Sequence, residues 1–201
     1  MNSDWLVDAA RAAMLGALVA AVGCAPPPPV TLVATYTERT AVSKPGPKAA
    51  TAACNLLVDG VSDSRSDTTV LGVVLSRAVK APSDNIGWIQ NVLSGLSARG
   101  VALGFDTNVR DAPADSIHAR FDLKTAWLTD TATNKTANVV IRVLISRGGE
   151  TALDRNFRGS RTTINWSASD SELQKVIDEA FGKALDDIAG AVLPICAVTT
   201  Q

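Results

Sequence analysis

The chain has 201 residues, of which 46% are hydrophobic and 19% charged, and its net charge at pH 7 is -1. That balance excludes a wholly disordered chain, and with no basic surplus it excludes binding of nucleic acid or an anionic membrane surface by charge alone. With a leader and a spacer set aside, about 150 residues remain, the size of one domain.

An apolar stretch from Ala12 to Val22 runs into Gly23 and Cys24, and Ala25 and four prolines follow. A run of this length suits the apolar core of a secretory leader and falls well short of the ~20 residues that span a bilayer. Small residues leading into a cysteine mark a bacterial lipoprotein signal. Diacylglycerol would be attached to the Cys24 thiol and the chain cleaved just before it. Residues 1–23 are therefore read as the signal peptide. The lipid on Cys24 is the only attached group expected, and no cofactor is. Asp4 and Asp8 offset Arg11 where a leader normally carries net positive charge, which a start codon set too far upstream would explain. The competing reading is an amphipathic N-terminal helix with Cys24 buried. Pro26 to Pro29 stand against it, since such a run cannot continue a helix.

Residues 24–50 are expected to form a Pro-rich tether, and residues 51–201 a periplasmic α+β domain. Within the tether, Thr31 to Tyr36 alternate weakly and allow a short strand, and Lys44-Pro45-Gly46-Pro47-Lys48 restores linker character. Beyond it, Asn55 to Val61 read as a strand, then a polar turn, then a second strand from Val70 to Ala78. Ser83 or Asp84 caps a helix whose apolar stripe is Ile86, Ile89, Leu93 and Leu96, with Gly100 as the stop. Val101 to Phe105 return as a short strand.

A β meander comes next. Ile117, Ala119, Phe121, Leu123, Thr125 and Trp127 are expected on the buried face of its first strand, with His118, Arg120, Asp122 and Lys124 on the wetted face. Ala137, Val139, Ile141, Val143 and Ile145 line the inner face of the second, and Thr151 to Ile164 give the third. Ser169 to Glu172 fit a capping box that opens a long amphipathic helix, and Pro194 is expected to end it. The fold class is thus α+β, a largely antiparallel sheet with two amphipathic helices packed on one face.

Once Cys24 is assigned to lipid, Cys54 and Cys196 remain. In an oxidising compartment they are expected to form a disulfide, the alternative being two separate buried thiols. Two cysteines and a single histidine cannot assemble a closed zinc shell, so no metal site is expected. Asp59, Asp63 and Asp67, spaced four apart, lack the glycine and distal glutamate of a calcium loop and read as a solvated turn. His118 is the only base available to a triad, yet the alternation sets it among charges on the solvent side of a strand. No phosphate loop or nucleophile elbow appears. Trp88, Trp127 and Trp166 read as core or core-edge residues, and Trp166 alternatively as a partner contact. The chain is accordingly read as a non-enzyme.

The order of these pieces resembles the YajG-like group of bacterial envelope lipoproteins. The likeness rests on Cys24, on Val58 leading to Asp63-Ser64-Arg65 with Gly72 after it, and on the helix from Ile86 to Arg99 ending in Gly100. The meander and the terminal helix follow in the same order. Ala21, where the family usually has Leu, and the Cys54/Cys196 pair depart from its pattern. The resemblance implies no catalytic residue. Because Asp after the lipidated cysteine retains such proteins at the inner membrane, Ala25 implies transfer to the outer membrane. The expectation is an outer-membrane lipoprotein facing the periplasm, tethered by lipid, with an envelope protein as partner and no nucleic acid. The alternative is the auxiliary lipoprotein of an ABC-type lipid or solute transport complex.

Overall fold

The computed structural model of the chain describes residues 27–37, 54–105, 116–164 and 169–197. Cys24 and Trp166 lie outside the described residues. In chain order the elements are β1 (Val30–Thr31), β2 (Cys54–Asp63), β3 (Val70–Val74), β4 (Arg77–Lys80), α1 (Asn85–Ser94), β5 (Val101–Gly104), β6 (Ile117–Asp130), β7 (Asn134–Arg147), β8 (Glu150–Ile164) and α2 (Asp170–Ala197).

All eight strands belong to one mixed sheet built around β6. Along one edge, β6 pairs with β7 antiparallel over its whole length, and β7 pairs with β8 in the same sense. Along the other edge, β2 runs parallel to its first half, and β3 touches its second half, also parallel, at Gly72 and Leu128. Beyond these, β5 adds parallel to β2, and β1 adds parallel to β4. The expected meander is present, and it is set in a mixed sheet in which four of the seven strand pairings among the described residues are parallel. Alternation shows which face of a strand is buried and says nothing about the direction of its neighbours.

Two strand assignments change. The run from Val70 to Ala78 is a hairpin, β3 and β4 turning at Leu75 and Ser76 with φ of 48° and 60°. Tight hairpin turns of that kind normally carry Asn or Gly, so Leu-Ser gave no turn signal. In β6 the register slips between Leu123 and Thr125, leaving Lys124 as a bulge. The alternation therefore reverses. Ala126 and Leu128 turn inward, while Trp127, expected in the core, is exposed.

The core lies between the inner face of the sheet and the apolar sides of α1 and α2. Asp84 caps α1, accepting from the Gly87 N–H at 2.8 Å. Trp88, Ile89, Val92 and Leu93 form the buried stripe, and Ile86 is left outside it. The Trp88 ring meets Phe181 of α2 edge-on, with centroids 5.3 Å apart. Leu173, Val176, Ile177, Ala180, Phe181, Ala184, Leu185, Ile188 and Val192 make the apolar side of α2. Pro194 does not end this helix, which runs on to Ala197. Proline removes one bond and crowds the carbonyl four residues back, here that of the exposed Gly190, which water can serve instead.

Val30 and Leu32, expected in the tether, are buried. The Tyr36 N–H donates to Asn91 Oδ1 at 2.6 Å. Cys54, at the start of β2, is disulfide-bonded to Cys196 in the last turn of α2, with Cα atoms 5.4 Å apart.

Candidate functional site

The outer face of the sheet, away from the helices, carries a group of interacting charged side chains. Its shape follows from two bulges. In β2 the register slips between Val58 and Gly60, so Asp59 is the extra residue. A bulged residue is re-aimed, and Asp59 Oδ1 meets His118 Nδ1 of β6 at 2.8 Å. Both side chains are mostly buried, and Arg120 Nε stands 3.9 Å from the second Asp59 oxygen. Four residues along β6, Asp122 accepts from Ser64 Oγ at 2.6 Å and pairs with the ammonium of the bulged Lys124. Lys124 Nζ also reaches Ser64 Oγ at 2.9 Å. Burial acts to raise the Asp122 carboxyl, but hydrogen bonds from Lys124, Ser64 and Ser62 outweigh it and hold the group below its ordinary value.

Further across the face, Arg142 of β7 forms a two-pronged pair with Asp154 of β8, at 2.8 and 2.7 Å. That hydrogen bonding raises the guanidinium and lowers the carboxyl. Between these groups lies a shallow hollow of about 420 Å³, with Asp59, Arg120, Asp122 and Arg142 on its rim and Gly60 in its wall. No atom lies within 4 Å of where a Gly60 Cβ would be, so the bulge leaves that wall open.

The three aspartates spaced four apart do separate work. Asp59 holds His118. Asp63 forms a buried pair with Arg65, whose guanidinium lies over the Trp88 ring, 5.6 Å from its centroid. Asp67 caps its own turn, accepting from the Thr69 hydroxyl and from the backbone of Thr69 and Val70, which lowers its carboxyl. Among the described residues no three of His, Cys, Asp and Glu gather where a metal ion could be held. No described hydroxyl or thiol is hydrogen-bonded to the second ring nitrogen of His118. Asp59 and His118 thus form an oriented pair. The face can hold charged or polar groups of a partner through its fixed cations and carboxylates.

Sequence reasoning placed His118, Arg120, Asp122 and Lys124 on this face. It missed Asp59 as the partner of His118, because only the parallel register of β2 on β6 brings them together. The bulge signal available, Gly60 inside a strand pattern, marks where such a slip can occur but not what it re-aims. Among the described residues no helix is long and apolar enough to cross a membrane.

No protein-family model matches the sequence, and no curated protein matches it. Solved structures share the architecture. An uncharacterized protein is 12% identical with a TM-score of 0.51, covering 72% of this chain and 95% of its own. A Xanthomonas campestris protein of the family DUF330 is 11% identical with a TM-score of 0.52, covering 88% of this chain and 96% of its own. These two likenesses establish a shared fold. A minor lipoprotein from Acinetobacter baumannii aligns at 14% identity over 70% of this chain and 94% of its own, with a TM-score of 0.36, and nothing follows from likeness at that level.

Proposed function

We propose that the chain is a bacterial envelope lipoprotein of the YajG-like kind, acylated on Cys24 and held at the outer membrane facing the periplasm. Its folded domain serves as a non-catalytic binding or assembly module. One observation carries the reading. Of the three cysteines, Cys54 and Cys196 are bonded to each other, so Cys24 is the one thiol left for lipid. A disulfide that closes almost the whole domain also fits an exported protein in an oxidising compartment. The charged outer face, with its oriented Asp59–His118 and Arg142–Asp154 pairs, suits the binding of a charged or polar partner.

The anchor and the fold are close together. Only residues 25–29 separate Cys24 from β1, and a proline-rich stretch rises about 3.1 Å per residue, so the spacer reaches about 15 Å. Such an anchor raises the local concentration of the module for membrane partners. The test is metabolic labelling with palmitate of the wild type and of Cys24→Ala. Label and membrane fractionation are expected in the first and absent from the second. Soluble, unlabelled protein in both rejects the reading. Cross-linking in intact cells then identifies the partner, and capture of a transporter would make the chain its auxiliary subunit.

A further inference from the structure

The chain enters the fold at one end of the sheet, beside the tip of the β3–β4 hairpin and the end of β6. Arg77 Nε donates to the Pro28 carbonyl at 3.1 Å, and its guanidinium lies 3.5 Å from Asp170 at the start of α2. The Leu75 N–H donates to Asp130 Oδ2, the last residue of β6, at 2.8 Å. Several large apolar side chains face outward here, among charged and hydroxyl-bearing ones such as Lys80, Asp130, Ser76 and Thr129. Val73 is 52% exposed, Leu75 47%, Trp127 42%, and Ile164, at the end of β8, 54%. Val33 is 58% exposed, and its N–H donates to Gln174 in the first turns of α2. Among the described residues, only Ile86 and Phe105 are comparably large, apolar and exposed elsewhere.

Leu75 is the most telling of these. Its φ of 48° lies in the left-handed region, where Asn or Gly costs less than a branched hydrocarbon. The side chain is not used in the core either. Neither the turn nor the packing calls for Leu at this position.

Cys24 precedes Pro28 by four residues, and a chain spans at most about 3.5 Å per residue. The bilayer is therefore within about 14 Å of the Pro28 carbonyl that Arg77 holds. We propose that this end of the sheet rests on the membrane, with Leu75, Val73 and Trp127 entering the lipid interface beside the anchor. The inference rests on acylation of Cys24 and adds the orientation of the domain to it. Tryptophan favours the headgroup level, where its ring is half in hydrocarbon and its N–H in water. Arg77 and Lys80 on this end are balanced by Asp130 and Asp170, so the contact is apolar and needs no anionic lipid. It turns the opposite end, with the disulfide and the β7–β8 turn, into the aqueous compartment. Fourteen residues of β7 at about 3.4 Å each put that turn some 45 Å from the membrane.

The experiment uses the acylated full chain in vesicles of phosphatidylcholine, with and without phosphatidylglycerol. With Cys24 acylated and Cys54 bonded to Cys196, Leu75→Cys and Glu150→Cys each offer one free thiol for a nitroxide. Vesicle flotation reports the anchor, and collision with oxygen against a water-soluble nickel chelate reports depth. The expected result is a depth parameter of opposite sign at the two positions, lipid at 75 and water at 150, unchanged by phosphatidylglycerol. Leu75→Asn, which suits the turn, is expected to leave the protein folded and floating while moving a label at Trp127→Cys toward water. A chain that floats with both labels equally open to the nickel chelate overturns the contact and leaves the anchor standing. A label at 75 shielded from both reagents overturns it in favour of a protein cover. A chain that neither floats nor carries lipid by intact mass overturns the anchor and the contact together.

Discussion

Alanine at Gly159 measures how closely α2 lies on the sheet. A Cβ at this position of β8 falls 1.8 Å from the Ala180 carbonyl oxygen and 2.9 Å from the Ala184 nitrogen, where real contacts stay beyond 3.0 Å. The obstacle is helix backbone, which cannot rotate aside. To restore 3.0 Å the helix must lift by about 1.2 Å at that turn, the difference between the two distances. A gap of about 0.5–1 Å already forfeits a quarter to a half of each dispersion contact. Overpacking costs ~1–3 kcal/mol as a rule, and backbone against backbone places Gly159→Ala at ~3 kcal/mol or more.

Gly190 is the control, because it lies on the same helix, is exposed, and has no atom within 4 Å of its would-be Cβ. Alanine there removes a helix-interior glycine and contributes ~0.5–1 kcal/mol. The two substitutions thus act with opposite sign, about 4 kcal/mol apart. With the disulfide kept oxidised and m near ~2 kcal/mol/M, their urea midpoints are expected to differ by ~2 M at unchanged m. A Gly159→Ala midpoint within ~0.3 M of wild type would mean that α2 does not touch β8 there.

Opening the disulfide that links residues 142 apart in sequence is expected to cost up to ~5 kcal/mol by the chain-entropy relation; equal urea midpoints with and without reductant would refute that. Trp88→Ala, which empties a fully buried site against Phe181, is expected to cost ~3–5 kcal/mol, whereas Trp127→Ala stays within ~1 kcal/mol. Thermal melting of the two variants side by side decides this, and equal losses would place Trp127 in the core after all. The Asp122 carboxyl is lowered in the folded chain, so its contribution to stability is in place above the ordinary value of 3.8 and is lost as pH falls below it. Asp122→Asn is therefore expected to flatten the acid limb of stability, read as urea midpoints at about pH 6 and about pH 3, and parallel limbs would count against the Lys124–Asp122 pair.

Some of this architecture is legible from residue order because one physical signal dominates locally. The inner row of β7 from Ala137 to Ile145 and the apolar stripe of α2 are periodic enough that no competing face exists. A cap at Ser83 or Asp84, which the structure settles as Asp84, and Cys54 with Cys196 as a pair follow from local chemistry and counting. The parallel joins of β2 to β5 and to β6 are not legible, because they are set by which strand ends the loops can bring together. Pro194 misleads because its cost depends on whether the carbonyl of Gly190 can turn to water, a property of exposure rather than of sequence.

The bulges explain why the surface was harder to read than the core. Around Lys124 two alternations are available, one burying Thr125 and Trp127, the other Ala126 and Leu128, and both put apolar atoms inside. The choice is made by β3. Its Gly72 lies so close to β6 that a Cβ would be 1.9 Å from the Leu128 carbonyl oxygen, an approach only glycine permits. With β3 seated there and Leu128 wholly buried, Trp127 must face out, next to the hairpin tip that carries Val73 and Leu75. On the neighbouring strand, the slip at Asp59 turns a carboxylate onto His118. One inserted residue per strand has therefore produced both the charged face and the apolar end beside the hairpin tip. Neither feature can be removed by changing its own side chains alone without leaving the backbone still shaped to present whatever replaces them.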